Sequence, residues 1–296
     1  LALAWSQLAG PGSPLLGALG LAPRPGSRNP LYSPEGVVLL FGLHHAPLVF
    51  LAVRAALRQV PRELLEAAQV SGAGPWRSLA TVVLPLAGPA IAAGAGLAFV
   101  SCIGNFGIPA LLGIPAGYSV LVTLIYQRLS GFGPSVLPEV AALALGLGLV
   151  AGLALAIQGW LRGLMQVGAA NSGPASTGWR LGRWRGAAEA LIWLLLLGAL
   201  VLPLAALLAE SLVPAIGVRL TLATATLANY AYVLGEDAAV RRAFVNSFLL
   251  AGSAAAILLL LAVPLAVLGE WRRSRAIALL SLAAELPYAL PGVVLA

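Results

Sequence analysis

Six long stretches of the chain consist almost entirely of apolar residues. A helix of about 20 such residues crosses the hydrocarbon core of a bilayer, where no water satisfies backbone polar groups. Only 9% of the 296 residues are charged, whereas soluble domains have about a quarter. The sequence therefore predicts an all-α polytopic membrane protein with about six transmembrane helices. The predicted spans cover residues 37–57, 83–104, 138–161, 188–209, 243–268 and 276–296.

The two ends of the sequence resemble parts of further apolar segments. Residues 1–8 have no initiating Met and no charged leading segment, so they indicate the end of another span rather than a signal peptide. Residues 291–296 stop within an apolar run. We therefore expect this chain to be an internal piece of a longer protein.

The distribution of arginine predicts the orientation in the membrane. All 17 basic residues are arginines, and basic residues concentrate in cytoplasmic loops. One set of alternate loops holds 11 arginines and the other set holds 6. Residues 62–82, 163–187 and 270–275 are therefore predicted to be cytoplasmic, and residues 105–137 and 210–240 to lie outside. The six arginines of the predicted outer loops are Arg24, Arg28, Arg128, Arg219, Arg241 and Arg242.

The composition excludes several kinds of catalytic and metal site. Without lysine the chain can form neither a phosphate-binding loop of the GxxxxGK[ST] type nor a Schiff base. Cys102 is the only cysteine, Asp237 is the only aspartate, and the two histidines are the neighbours His44 and His45, so CxxC and HExxH patterns are absent. No Ser/His/Asp set or carboxylate pair stands out. The sequence predicts that the chain is not an enzyme, binds no metal and holds no cofactor of its own.

A short segment between two predicted spans carries the strongest local signals. Pro61 suits the start of a helix, and residues 62–70 are good helix formers. Gly72 can take a positive φ and end that helix, after which a second short helix is predicted from Pro75 to Thr81. Two short helices at an angle would form a docking protrusion on the cytoplasmic face. The alternative is an ordinary amphipathic loop.

The residues of this segment resemble a known signature. The pattern is Glu-Ala-Ala, three residues, Gly, nine residues, and then Val-x-Leu-Pro. It resembles the EAA motif of bacterial ABC importer permeases, whose pattern ends in Ile-x-Leu-Pro. The only departure is a conservative change from Ile to Val. The matching positions are Glu66, Ala67, Ala68, Gly72, Val82, Leu84 and Pro85.

The resemblance implies a function for the segment and partners for the chain. In that family the loop at 61–85 inserts into a cleft of the ATPase subunit. Glu66 would then be the polar contact and helix-end anchor, Ala67 and Ala68 the close-packing face, and Gly72 the turn. The implied protein is an inner-membrane permease of MetI-like fold. It would take solute from a periplasmic binding protein, with ATP and Mg²⁺ bound by a pair of separate ATPase subunits.

Further stretches are similar to the iron(III)-type permeases, which fuse two permease halves in one chain. They include residues 43–50 (LHHAPLVF) and 105–113 (NFGIPALLG). The resemblance implies that residues 1–165 form the C-terminal part of a first half. Residues 166–187 would then be a cytoplasmic linker, and 188–296 the truncated start of a second half, without its EAA loop. Iron(III) is the expected solute, with polyamine, thiamine or sulfate as alternatives.

Few ionisable residues are candidates for a solute pathway. His44 lies within a predicted span and Glu285 lies just before Pro287 in another, and intramembrane ionisable groups are functional candidates by default. Because neighbouring residues on a helix point about 100° apart, His44 and His45 cannot both face one site. A secondary transporter driven by protons or sodium is the alternative class. It should place carboxylates near mid-membrane, whereas residues 83–104 and 243–268 include no charged residue.

Overall fold

A computed structural model describes residues 1–271 except 25, 59, 132, 166–181 and 216. All regular elements in this part of the chain are helical, as predicted. The α-helices are α1 (Ala2–Ala9), α2 (Pro14–Ala18), α3 (Pro34–Leu57), α4 (Arg62–Val70), α5 (Pro75–Ser78), α6 (Leu84–Gly104), α7 (Leu121–Leu129), α8 (Val136–Met165), α9 (Arg185–Leu196), α10 (Leu202–Ser211), α11 (Ala228–Ala231) and α12 (Ala238–Trp271). Wider π-helical turns occur at π1 (Leu79–Val83), π2 (Pro109–Gly113), π3 (Leu197–Val201) and π4 (Tyr232–Glu236), and a 3₁₀ turn at Gly182–Trp184.

In the described part of the chain, five helical stretches are long and apolar enough to cross a membrane. They correspond to five of the six predicted spans, and the sixth, at 276–296, lies outside the described residues. Two are 30 residues long because α5, π1 and α6, and likewise the 3₁₀ turn, α9, π3 and α10, follow one another without a break. The five stretches are Pro34–Leu57, Pro75–Gly104, Val136–Trp160, Gly182–Ser211 and Ala238–Val267.

The described chain divides into two compact units. The first consists of Leu1–Ala2 and Tyr32–Ala199, and the second of Leu3–Leu31 with residues 200–271 of the described part. Most of the predicted linker at 166–187 lies outside the described residues, and the division into two permease halves stays a prediction.

In the first unit, glycines allow α6 to lie close to its neighbours. A Cβ on Gly94 would lie 3.1 Å from Ala52 Cβ and 3.3 Å from Val49 Cα, both on α3. A Cβ on Gly96 would lie 2.8 Å from Cγ of Gln158 on α8. Small residues permit such close approach between membrane helices, where packing rather than the hydrophobic effect drives association. Gly94 therefore sets the distance between α3 and α6.

A buried polar contact joins α6 to α8. Gln158 is buried, and its Nε2 donates to the Ala93 carbonyl oxygen at 2.6 Å. An unpaired amide would be costly in an apolar surrounding, so this hydrogen bond fixes the two helices in register.

Helix α7 is held on α8 by a small apolar cluster. Val122 and Ile125 of α7 and Leu147 of α8 are buried together. Arg128 at the end of α7 forms an ion pair of 3.2 Å with Glu139 in the first turn of α8. The segment after α6 therefore returns to pack along α8.

In the second unit, the first loop of the chain lies against α10 and against the loop that follows α10. Asn29 is buried and its Nδ2 donates to the Ser6 carbonyl oxygen at 2.8 Å. Nδ2 of Asn229 donates to the carbonyl oxygens of Ser211 at 3.1 Å and Val213 at 2.9 Å. Helix α2 packs against α10. These contacts bring residues 11–24 and 217–219 together.

Candidate functional site

Helix α4 has the bounds that the sequence predicts. It runs from Arg62 to Val70, with Pro61 in extended backbone before its first turn. Leu65 is buried, whereas Glu63, Leu64 and Glu66 are exposed. A short helix with one buried apolar position and a mostly exposed surface suits a protrusion. We call residues 61–85 the elbow.

Gly72 ends α4 in the positive-φ conformation that the sequence predicts. Its φ is +79°. The Gly72 N–H donates to the Gln69 carbonyl at 2.9 Å, and the Ala73 N–H to the Ala68 carbonyl at 2.9 Å. This pair of bonds is the Schellman arrangement, which satisfies the last carbonyls of a helix and reverses the chain direction. The turn is therefore fixed by backbone hydrogen bonds rather than by packing.

The predicted second short helix is not a separate element. It was expected to run from Pro75 to Thr81, but α5 continues through π1 into α6. Pro85 has no N–H to donate to the Thr81 carbonyl, and at π1 the Leu84 N–H donates instead to Leu79, five residues back. A π turn lets the helix continue past a proline although one backbone hydrogen bond is missing. The elbow is therefore one short helix joined by a fixed turn to a long one.

The seven motif residues lie along this assembly with different exposures. Glu66, Ala67 and Gly72 are exposed, and Ala68 is half-buried. The Ala67 carbonyl accepts from the Ser71 N–H at 3.0 Å and from the Ser71 hydroxyl at 2.8 Å, so both alanines help to close the helix end. At the other end of the motif, Val82 is half-buried, and Leu84 and Pro85 are exposed. The contacts predicted for these residues with an ATPase stay predictions.

Two exposed apolar residues flank the turn and were not among the predicted site residues. Val70 is 91% exposed and Trp76 is 80% exposed. Aromatic residues dominate the energy of protein interfaces, and exposed apolar patches mark interaction sites. The sequence signal was present, since both residues adjoin the glycine-rich break at 71–74, but in so apolar a chain it does not stand out. Val70 and Trp76 give the elbow an apolar tip.

The pathway candidates do not form a cluster in the described chain. His44 is exposed, and His45 is buried with its Nδ1 3.0 Å from the Phe41 carbonyl oxygen and 3.4 Å from Cys102 Sγ. A carbonyl oxygen only accepts, so in the bond to Phe41 the proton is on Nδ1 of His45. The contact with Cys102 links α3 to α6. The two histidines thus face different surroundings, as their spacing predicts. Glu285 lies outside the described residues.

Two of the other acidic residues are paired with arginines. Glu189 forms an ion pair of 2.7 Å with Arg185 one turn earlier, and Glu139 pairs with Arg128. Among the described residues, no group of three or more His, Cys, Asp or Glu side chains could hold a metal ion. In the described part, the elbow is where the predicted site residues converge.

Comparison with known proteins finds matches to part of the chain. Residues 26–167 match the family described as binding-protein-dependent transport system inner membrane component, and this match encloses the elbow. PhnU of Salmonella typhimurium, a permease assigned to 2-aminoethylphosphonate transport, is 38% identical over 98 residues, which are 33% of this chain and 34% of PhnU. The inner membrane ABC transporter permease YdcU of Escherichia coli is 37% identical over 132 residues, 45% of this chain and 41% of YdcU.

A third relative has a different named solute. The molybdenum transport system permease ModB of Escherichia coli is 42% identical over 76 residues, 26% of this chain and 33% of ModB. The chain thus aligns with about a third to two fifths of the length of these relatives. No solved structure matches it.

Proposed function

We propose that this chain, whose residues 26–167 match the family of binding-protein-dependent transport system inner membrane components, is the permease subunit of an ATP-binding-cassette importer. The chain is a multi-pass inner membrane protein with five candidate spans in its described part. In the proposed cycle, solute arrives on a periplasmic binding protein and passes inward. ATP and Mg²⁺ bind to separate ATPase subunits, and this chain supplies the path and the coupling.

The geometry of the elbow carries the proposal. Its turn is held by backbone hydrogen bonds, and its tip exposes Val70 and Trp76. A rigid protrusion loses little conformational freedom on docking, which favours binding. Burial of two apolar side chains would supply the central contact, with Glu66 as a polar contact beside them.

The same geometry gives a route from the ATPase to the spans. Because α5, π1 and α6 are continuous, a displacement of the elbow moves the cytoplasmic end of α6. Helix α6 contacts α3 at Gly94 and α8 through Gln158. We infer that closure of the ATPase pair is passed through α6 to both neighbouring spans.

The proposal predicts that charge at the elbow tip prevents docking. The double variant Val70→Arg, Trp76→Arg should lower recovery of the ATPase by about tenfold, because two guanidinium groups would be buried in place of apolar contacts. The measurement is co-purification of the two proteins in detergent after co-expression. Leu222→Arg is the matched control, because Leu222 is also fully exposed but lies in a predicted outer loop. Equal recovery for the double variant and the control would contradict docking at the elbow.

The orientation of the elbow is testable independently. In a chain with Cys102 replaced by Ser, we expect Leu222→Cys to react with an impermeant maleimide in intact cells. Arg77→Cys should react only after permeabilisation, because the arginine-rich loops are predicted to be cytoplasmic. Labelling of Arg77→Cys in intact cells would place the elbow on the wrong side for an ATPase.

The solute is a separate part of the proposal. The stretches at 43–50 and 105–113 favour iron(III) by resemblance, but the relatives above are named for 2-aminoethylphosphonate and molybdenum. In neutral water molybdenum forms the tetrahedral oxyanion molybdate, and 2-aminoethylphosphonate carries a tetrahedral anionic phosphonate group beside its ammonium group. Iron(III) and a tetrahedral oxyanion, a class that includes sulfate, are therefore the two kinds of solute to compare in transport, ahead of polyamine or thiamine. An ion-coupled mechanism has less support, since the spans at 83–104 and 243–268 include no charged residue.

A further inference from the structure

The second unit contains a cavity of about 400 Å³ away from the elbow. It is formed by the loop and short helix at 11–24 and by the turn at 217–219. Its volume lies within the usual range for small-molecule sites, about 300–1,000 Å³. The cavity is therefore large enough for a small solute with some water.

Among the described residues that line this cavity, two arginines are the only charged ones. They are Arg24 and Arg219. No hydrogen bond or ion pair joins either guanidinium to another described residue, and no acidic residue is in the lining. Arginine stays protonated at any physiological pH, so both positive charges persist. Two like charges in one concavity repel each other unless an anion lies between them.

Glycines line the cavity beside these arginines. Gly20 and Gly217 have φ values of +71° and +86°, so both are in the backbone region that favours glycine. A Cβ on Gly17 would lie 3.8 Å from Arg219 Cγ. Any larger side chain there would therefore extend into the space next to Arg219.

The predicted topology makes this pair of arginines unusual. Arginine is depleted in loops outside the membrane, and of the six in the predicted outer loops, Arg128 is neutralised by Glu139. Arg24 and Arg219 are far apart in the sequence, yet the fold brings both to one cavity. Their position needs a reason other than topology.

We infer that this cavity binds a tetrahedral oxyanion through Arg24 and Arg219. The planar guanidinium offers paired N–H donors that match the oxygens of a phosphate, phosphonate or molybdate group. As an assignment of solute class, the inference rests on the proposed function and selects an oxyanion over iron(III). The same chemistry could come from a free oxyanion or from the phosphate of a lipid headgroup, so the experiment has an arm for each.

The first arm measures a free oxyanion on the whole chain. The protein is placed in nanodiscs of phosphatidylcholine alone and binding of radiolabelled molybdate is measured by equilibrium dialysis, with 2-aminoethylphosphonate as competitor. The double variant Arg24→Gln, Arg219→Gln should bind at least about tenfold more weakly. Arg28→Gln is the matched control, because Arg28 is in the same loop but does not line the cavity, and its binding should equal that of the wild type.

The second arm measures the lipid. In nanodiscs that contain phosphatidylglycerol as well, a headgroup in the cavity should displace molybdate, and the double variant should lose its enrichment in that lipid. Binding of molybdate in the first arm identifies a free oxyanion as ligand, whereas lipid enrichment without it identifies the headgroup. If neither depends on Arg24 and Arg219, the inference is wrong.

A further variant tests whether the size of the cavity matters separately from its charge. A measurement of ATPase recovery tests this inference separately from the proposed function. Gly17→Val keeps both arginines but fills the space next to Arg219, so it should weaken molybdate binding about as much as one arginine substitution. Recovery of the ATPase by the double arginine variant should stay normal, because the elbow is unchanged. Loss of oxyanion binding with normal ATPase recovery therefore supports the assignment of the cavity as the oxyanion site, independently of docking at the elbow. Unaltered oxyanion binding overturns the cavity assignment and leaves the importer proposal standing.

Discussion

Gly72→Val is expected to lower solute-stimulated ATP hydrolysis by about tenfold in the reconstituted transporter. The backbone at Gly72 has φ +79°, and a Cβ there would meet no atom within 4 Å. The cost is therefore conformational rather than steric, and a β-branched residue in this region costs roughly 1–2 kcal/mol. A free energy of that size changes an equilibrium by about 5- to 30-fold. The Schellman turn would open and α4 would leave the position from which the elbow docks.

Two variants in the same loop serve as controls for this prediction. Gly72→Asn should retain most of the activity, because asparagine tolerates the left-handed conformation. Gly74→Val adds the same side chain two residues later, where φ is −66° and no atom lies within 4 Å, and it should behave as wild type. Equal loss in Gly74→Val would show that bulk rather than backbone conformation matters. Normal ATPase binding and full transport in Glu66→Arg, Gly72→Val would leave 61–85 as an ordinary loop.

The sequence predicts the parts of the elbow that depend on local interactions. The bounds of α4 and the positive φ at Gly72 follow from proline, good helix formers and glycine within a dozen residues. The continuity of α5 with α6 was missed because Pro85 is a helix breaker by its own chemistry. Whether the helix ends there depends on whether a π turn forms, which the pattern does not reveal. The spans, like α4, are predictable from residues that are close in the sequence, because the length and apolar composition of each segment decide whether it can cross a membrane.

Features that depend on distant residues could not be predicted. The exposure of Val70 and Trp76 depends on which face of the elbow the rest of the chain covers. His45 and Cys102 look like isolated residues in the sequence, and the packing of α3 on α6 brings them within 3.4 Å. Arg24 and Arg219 were assigned only to loops, because no local pattern indicates that two remote turns close around one cavity.

Gly94→Leu is expected to have the largest effect on the spans themselves. A Cβ at this position would already lie 3.1 Å from Ala52 Cβ and 3.3 Å from the Val49 backbone, and the backbone of α3 cannot move without displacing the whole helix. Overpacking of this kind costs about 1–3 kcal/mol and sometimes more. We expect α3 to separate from α6, with a lower thermal midpoint and reduced transport, while ATPase recovery stays normal because the elbow is intact.

Cys102 provides a built-in measurement of this separation. It is half-buried beside His45 where α3 packs on α6, and it is the only cysteine in the chain. Its reaction with a thiol-specific dye should therefore become faster in Gly94→Leu, both at low temperature and during thermal unfolding. Gly88→Leu is the matched control, since Gly88 is on the same helix and a Cβ there meets no atom within 4 Å. If both variants label Cys102 at the wild-type rate, Gly94 does not set the distance between α3 and α6. The proposed route from the elbow through α6 to α3 would then lose its rigid contact.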